Sequence, residues 1–220
     1  MTRGGRRGDP TAGIPGRRLF VALPLPDAMA AEVAEVVESV RGAGLPAGAR
    51  DVRWVRLDGL HLTLRFLGPT PEPRVAAAAE AVRTASAGST AIRLELGGAG
   101  AFPPSGRPRT IWIGLTTGID DVAQLAGRVG EALEGAGWPA DSRPVRPHLT
   151  LARSDGVAVG SLVAGRLVVA MEERRIDGVV DRVGLFESIT GGGPARYVPL
   201  LTAPLGDPGI GESVYHRRTR

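Results

Sequence analysis

The chain predicts an α+β fold of two lobes, each an antiparallel sheet with helices on its outer side, related by an internal duplication. Three observations carry this. The tetrapeptide His-Leu-Thr-Leu occurs twice, at residues 61–64 and 148–151. Each copy follows the same order of elements, an apolar strand and then a helix, with similar separations from Phe20 to His61 and from Ile111 to His148. Strand and helix periodicities alternate through 220 residues with 43% hydrophobic content, which suits one globular unit with a sizeable core.

The first repeat begins with a strand at Arg18-Leu-Phe-Val-Ala-Leu, ended by Pro24 and Pro26. A helix capped by Asp27 follows, with Met29, Val33, Val36, Val37 and Val40 at helical spacing, until Gly42 and Gly44 stop it. Then come the first His-Leu-Thr-Leu strand, a helix over about 72–87 with Val75, Ala78, Ala79 and Val82 on one face, and a strand at 91–97. The second repeat has a strand from Thr110 to Leu115 and a helix starting near Asp120 or Asp121. That helix presents Val122, Leu125, Ala126, Val129 and Leu133 on one face and ends at Gly135 and Gly137. The second His-Leu-Thr-Leu strand follows, and late strands are expected at about 180–187 and 196–201. The stretch 157–178 fits neither period. Residues 1–16 and 206–220 read as disordered tails around one bilobal unit at 17–205.

Composition narrows the chemistry. There is no cysteine, so neither a disulfide framework nor thiolate catalysis is available. No apolar run approaches a membrane span, and Leu19–Leu25 is too short and too broken by Pro24 for a signal core, so a cytoplasmic location is expected; a monomer is expected because one chain supplies both copies of the tetrapeptide. All basic charge is arginine, and a net charge of +4 favours an anionic partner only mildly.

The repeated tetrapeptide carries the functional signal. On a strand, alternation sends Leu62 and Leu64 into the core and turns His61 and Thr63 together to the opposite face. Leu149 and Leu151 divide from His148 and Thr150 in the same way. Two of the three histidines in the chain open this motif. If the lobes face each other, two imidazoles and two hydroxyls converge. A neutral imidazole can take a proton from water while a protonated one gives a proton to a leaving group. The hydroxyls can donate to an anionic oxygen. Phosphoester hydrolysis fits this equipment without a metal or other cofactor, since Thr is a poor ligand and no third His or Cys is near.

With these motifs the sequence resembles the 2H phosphoesterases, and among them the RNA 2′,3′-cyclic phosphodiesterases, often called 2′-5′ RNA ligases. The flanks resemble that family too: Arg18-Leu-Phe-Val-Ala-Leu, Leu60-His-Leu-Thr-Leu-Arg-Phe-Leu-Gly, Arg146-Pro-His-Leu-Thr-Leu-Ala-Arg, Phe186-Glu-Ser and Arg196-Tyr-Val-Pro-Leu. The resemblance implies a cleft between the lobes and opening of a terminal ribose 2′,3′-cyclic phosphate to a 2′-phosphate, on RNA ends or small cyclic nucleotides. It implies His61 and His148 as the catalytic pair, with His61 the acid toward O3′ and His148 the base toward water. Thr63 and Thr150 are expected on the non-bridging oxygens, Arg153 near the nucleotide and Phe66 near the base. Strict alternation, however, puts Phe66 and Arg153 on the leucine faces, so the strands must bend or end there, or the two residues lie outside the site.

Other residues read as structural. His216 is a tail residue, the three tryptophans are packing residues, Gly191–Pro194 is a turn, and Phe102–Arg109 is a solvated connection, with contact between its two arginines and RNA phosphates as the alternative. Two rival functions stay open: 2′-5′ RNA ligation by the reverse chemistry, and a non-catalytic module that binds RNA ends.

Overall fold

The computed structural model describes residues 16–44, 52–104, 106–141, 145–155, 158–191 and 193–206. The expected tails lie outside these residues except at Gly16 and at Gly206, which bridges to Thr90. The elements run β1 (Arg17–Pro24), α1 (Asp27–Gly42), β2 (Val52–Trp54), a 3₁₀ turn at Leu57–Gly59, β3 (His61–Thr70), α2 (Glu72–Ala87), β4 (Ile92–Phe102) and β5 (Thr110–Thr117). They continue with α3 (Ile119–Gly135), β6 (Leu149–Ser154), α4 (Ala158–Ala170), β7 (Ile176–Val180), β8 (Arg182–Ile189) and β9 (Arg196–Pro204).

The helices bury the faces their spacing predicts. In α1 these are Met29, Val33, Val36, Val37 and Val40, and in α3 Val122, Leu125, Ala126, Val129 and Leu133. Each of these valine, leucine and methionine side chains contributes on the order of 1.5–3 kcal/mol when removed from water. Asp27 is not a cap. Pro26 precedes the helix and no side chain bonds its first N–H groups, so Asp27 sits inside the first turn, where its charge complements the helix dipole. The ambiguous stretch holds α4 and β7. Helix α4 is apolar around most of its circumference, so its sequence carries no amphipathic period to read.

The strands form one 9-stranded sheet in the order β7-β4-β5-β6-β3-β1-β8-β9, with β2 beside β6. The pairings between strands are antiparallel. The two expected sheets are its halves, and they meet along β6 and β3 through one registered pair, Leu62↔Leu149. The register repeats about that seam. Ala22 faces Thr63 and Gly184, as Trp112 faces Thr150 and Gly100. Phe20 faces Phe66 and Phe186, as Thr110 faces Arg153 and Phe102. The helices exchange sides. Helix α1 follows β1 but packs on β7 and α4, and α3 follows β5 but packs on β3 and α2. Each repeat therefore covers the other's strands, and a single apolar cluster runs through both halves.

Candidate active site

The site begins at the seam. Leu62 and Leu149 are fully buried, and antiparallel pairing through them sets His61 across from Thr150 and Thr63 across from His148. All four polar residues are half-buried, on the face opposite the leucines. Neither threonine hydroxyl has a hydrogen-bond partner among the described residues, so both remain available.

Each imidazole is fixed in the same way. His61 Nδ1 donates to the Gly59 carbonyl at 2.7 Å, and His148 Nδ1 donates to the Arg146 carbonyl at 2.6 Å. A neutral ring held by Nδ1–H presents the Nε2 lone pair, and a protonated ring presents Nε2–H. Both carbonyls lie two residues upstream, on backbone that enters the strand at the motif.

The two surroundings differ. His61 lies 4.9 Å from the Phe20 ring and 4.8 Å, edge-on, from Tyr197; Phe20 also stacks on Phe186 at 5.5 Å. Gly59 makes this approach possible, because a Cβ there would fall 2.9 Å from the Tyr197 ring. Burial holds the His61 imidazole below its ordinary value. The Gly59 carbonyl opposes this, and Arg153 and His148 press it further down. His148 lies 5.1 Å from Phe102, edge-on, and 6.3 Å from Trp112, whose indole N–H is buried without a partner among the described residues.

Phe66 and Arg153 share the histidine face, and the reason is the same in both halves. Along β1, Ala22 faces Thr63 but Val21 faces Arg65, so Leu64 is an extra residue. Along β5, Trp112 faces Thr150 but Ile111 faces Ala152, so Leu151 is extra. Each bulge follows its His-x-Thr and reverses the alternation. Phe66, five residues after His61, thus pairs with Phe20, at 6.2 Å between rings, and is 61% exposed. Arg153, five residues after His148, pairs with Thr110 on the face of Trp112 and Thr150 and acts electrostatically on both His61 and Tyr197.

Five neighbours have no role in the sequence reading: Phe20, Phe102, Trp112, Phe186 and Tyr197. Trp112 packs on Phe102 and over Gly100, and its ring also approaches His148. The Arg196-Tyr-Val-Pro-Leu and Phe186-Glu-Ser stretches signalled two of the five without saying which side chain mattered. Burial raises the Tyr197 phenol above its ordinary value, with Arg153 pulling the other way. Trp54 and Trp138 do pack at the periphery, under Arg41 and Arg74 respectively. His216 lies outside the described residues. Among the described residues no three His, Cys, Asp or Glu side chains gather as a metal site, and no helix is long and apolar enough to cross a membrane.

Comparison with known proteins finds relatives by sequence and by fold. The model of the 2′-5′ RNA ligase superfamily matches residues 25–192. A protein of Aeropyrum pernix named RNA 2′,3′-cyclic phosphodiesterase is 34% identical over 128 residues, 58% of this chain and 69% of that protein. One of the same name from Escherichia coli is 35% identical over 144 residues, 65% of this chain and 75% of that protein. The crystal structure of E. coli LigT complexed with NADP+ superposes with a TM-score of 0.64 at 28% identity, covering 88% of this chain and 99% of that one. The same protein complexed with 3′-AMP gives a TM-score of 0.63 at 28% identity, covering 86% and 98%.

Proposed function

This chain belongs to the 2′-5′ RNA ligase superfamily, and on that premise we propose that it opens the terminal 2′,3′-cyclic phosphate of RNA to a 2′-phosphate, without a metal, through His61 and His148. The observation that carries the reading is the seam pairing. It sets each imidazole, anchored at Nδ1 to a backbone carbonyl, across from the threonine of the other repeat. The relatives named RNA 2′,3′-cyclic phosphodiesterase supply the substrate class.

In this mechanism the cyclic phosphate sits over the seam with its non-bridging oxygens toward Thr63, Thr150 and Arg153. The base takes a proton from water as the water oxygen bonds to phosphorus. The P–O3′ bond breaks, and the acid delivers a proton from Nε2 to O3′. Electrostatics favour His61 as the base, the reverse of the order the resemblance implied: burial, with the Arg153 guanidinium adding to it, holds the His61 imidazole below its ordinary value and so favours its neutral form. His148 is then the acid. Phe66, open to solvent beside this face, stacks on the terminal base.

The test is to incubate the protein, in EDTA, with a short RNA ending in a 2′,3′-cyclic phosphate and to identify the product. A 2′-phosphate is expected. A 3′-phosphate would reverse the substrate between the halves, and no product at all would refute the activity.

A further inference from the structure

The two halves of the sheet are alike at the seam and unlike at their outer edges. Phe186 on β8 and Phe102 on β4 hold equivalent places, across from Phe20 and Thr110. The edge strands beyond them are β9 and β7. Strand β9 pairs with β8 from Arg182↔Pro204 to Ile189↔Arg196, and so runs past Phe186. Strand β7 pairs with β4 only from Ile92 to Leu96, and stops short of Gly100 and Phe102. The side chain that the extra length of β9 brings to the histidine face is Tyr197, across from Ser188. Among the described residues, no strand pairs with that edge of β4 at Phe102, so His148 has no equivalent of Tyr197.

Tyr197 closes a cluster of three rings. It stands edge-on to His61 at 4.8 Å and to Phe20 at 5.2 Å, and Phe20 lies 4.9 Å from His61 at a tilt of 37°. Gly59 serves both partners. Its carbonyl anchors Nδ1 of His61 at 2.7 Å, and its missing Cβ admits the Tyr197 ring, which a Cβ would meet at 2.9 Å. The imidazole is thus held at one nitrogen and packed by two rings, with Nε2 left for chemistry. His148 has the same kind of anchor, on Arg146, but looser packing, with Phe102 at 5.1 Å and Trp112 at 6.3 Å. A group fixed by packing before the reaction needs no ordering during it.

We propose that Tyr197 is a positioning residue for His61: its ring, carried in by the extra length of β9, locks the imidazole against Gly59 in the Nδ1–H tautomer and keeps water off it. The inference rests on the reading of His61 as proton acceptor, and it supplies what divides the labour between two histidines with identical motifs. The role belongs to the ring and not to the phenol hydroxyl, which burial keeps protonated. The charged and titratable groups facing His61 are His148 and Arg153, from across the seam, and Tyr197 itself. Phe20, Ala22 and Pro24 of β1 add none, and Arg56 and Asp58 in the 3₁₀ turn pair with each other. Removing the Tyr197 ring leaves these other charges in place and relieves burial, the largest cause of the lowered His61 pKa.

The test compares Tyr197→Ala, Tyr197→Phe and Gly59→Ala with the unaltered protein, with thermal unfolding as the control for folding. Gly59→Ala displaces the Tyr197 ring without removing it, and decides the matter alone if Tyr197→Ala does not fold. NMR of the histidine ring nitrogens reads the midpoint and tautomer of His61 without turnover. In Tyr197→Ala and Gly59→Ala the midpoint should rise toward the ordinary value, and the Nδ1–H tautomer should give way to a mixture. On an RNA oligomer ending in a 2′,3′-cyclic phosphate, kcat should fall about tenfold in both, less than loss of the imidazole itself costs. KM should stay within about twofold, because ground-state contacts are kept. The acid limb of the pH–rate profile should move up with the midpoint. Tyr197→Phe should restore the unaltered midpoint, tautomer and kcat. If the unaltered protein hydrolyses nothing, the activity fails, yet a raised midpoint in Tyr197→Ala still supports the clamp. An unmoved midpoint and tautomer in the folded Tyr197→Ala and Gly59→Ala variants would overturn it. So would a raised KM at unchanged kcat, or a loss in Tyr197→Phe equal to that in Tyr197→Ala.

Discussion

Leu62 and Leu149 face each other across β3 and β6 as the registered pair between the two halves of the sheet, and neither exposes any surface. The residues on either side of each leucine are the histidine and threonine of its motif. Core packing and site geometry therefore meet at one contact: what holds the leucines together also sets the separation of the imidazoles. Leu149→Ala should cost about 2–5 kcal/mol, as large-to-small core changes do. It should also lower kcat further than Leu94→Ala, an equally buried change in β4, which β5 separates from β6. Urea unfolding and turnover measured together check this; equal kcat losses in the two variants would separate the seam from the chemistry.

Replacing either imidazole removes a proton-transfer group. His61→Ala and His148→Ala should each abolish measurable turnover, a loss on the order of 10²–10⁴-fold. Thr63→Ala and Thr150→Ala should cost less, roughly 10–100-fold, the value of one hydrogen bond to a charged oxygen. Single-turnover rates on a cyclic-phosphate RNA decide it. A histidine variant turning over at the unaltered rate would take that residue out of the mechanism.

The sequence made the motif legible because strand alternation is a local property. His61 with Thr63, and His148 with Thr150, needed only a period of two. The helix faces of α1, α2 and α3 were legible for the same reason, since their spacing is a property of the helix itself. Phe66 and Arg153 were ambiguous because a bulge is decided by the neighbouring strand: Leu64 and Leu151 are extra only relative to β1 and β5. Tyr197 and Phe20 were invisible as site residues because they reach His61 through pairings between distant segments. The exchange of α1 and α3 between the halves has no local signature at all. Helix α4 escaped because nearly all its residues are apolar, leaving no contrast between faces.

Phe66 is 61% exposed, so its ring contributes little to the core. Phe66→Ala should change stability by less than about 0.5 kcal/mol, as surface changes do. If the ring carries the terminal base, the variant should raise KM by roughly 5–150-fold, the value of one base–aromatic stack of about 1–3 kcal/mol. Steady-state kinetics with a thermal unfolding control separates the two. An unchanged KM would return Phe66 to the role of an incidental exposed aromatic.

Gly100 lies under the Trp112 ring, where a Cβ would come within 2.7 Å of the indole. Gly100→Ala should push that ring toward His148, which it already approaches at 6.3 Å. Overpacking of this kind costs about 1–3 kcal/mol. The shift should also appear as a change in tryptophan emission and a fall in kcat, while KM for the oligomer holds. Unchanged emission and kcat would mean that the indole has room the structure does not indicate.

His61 gives a pH dependence whose sign follows from its surroundings. Burial places its pKa in the folded protein below the ordinary value of about 6.5 that applies when the chain is unfolded. Between those two values the unfolded chain binds more protons, so stability is lost as pH falls below about 6.5 toward the folded pKa, and the contribution is fully present above 6.5. Urea unfolding at pH 7.5 and pH 5 should show a larger loss for the unaltered protein than for His61→Gln, which cannot titrate. An NMR titration of the His61 ring should give a midpoint below 6.5. Arg153→Gln should move that midpoint upward, because Arg153 is one of the charges opposing protonation. The same neutral ring is the one required to accept a proton from water, so the acid limb of the pH–rate profile should track this titration and shift with it in Arg153→Gln. A His61 midpoint at or above 6.5 would contradict both the stability argument and the assignment of His61 as the base.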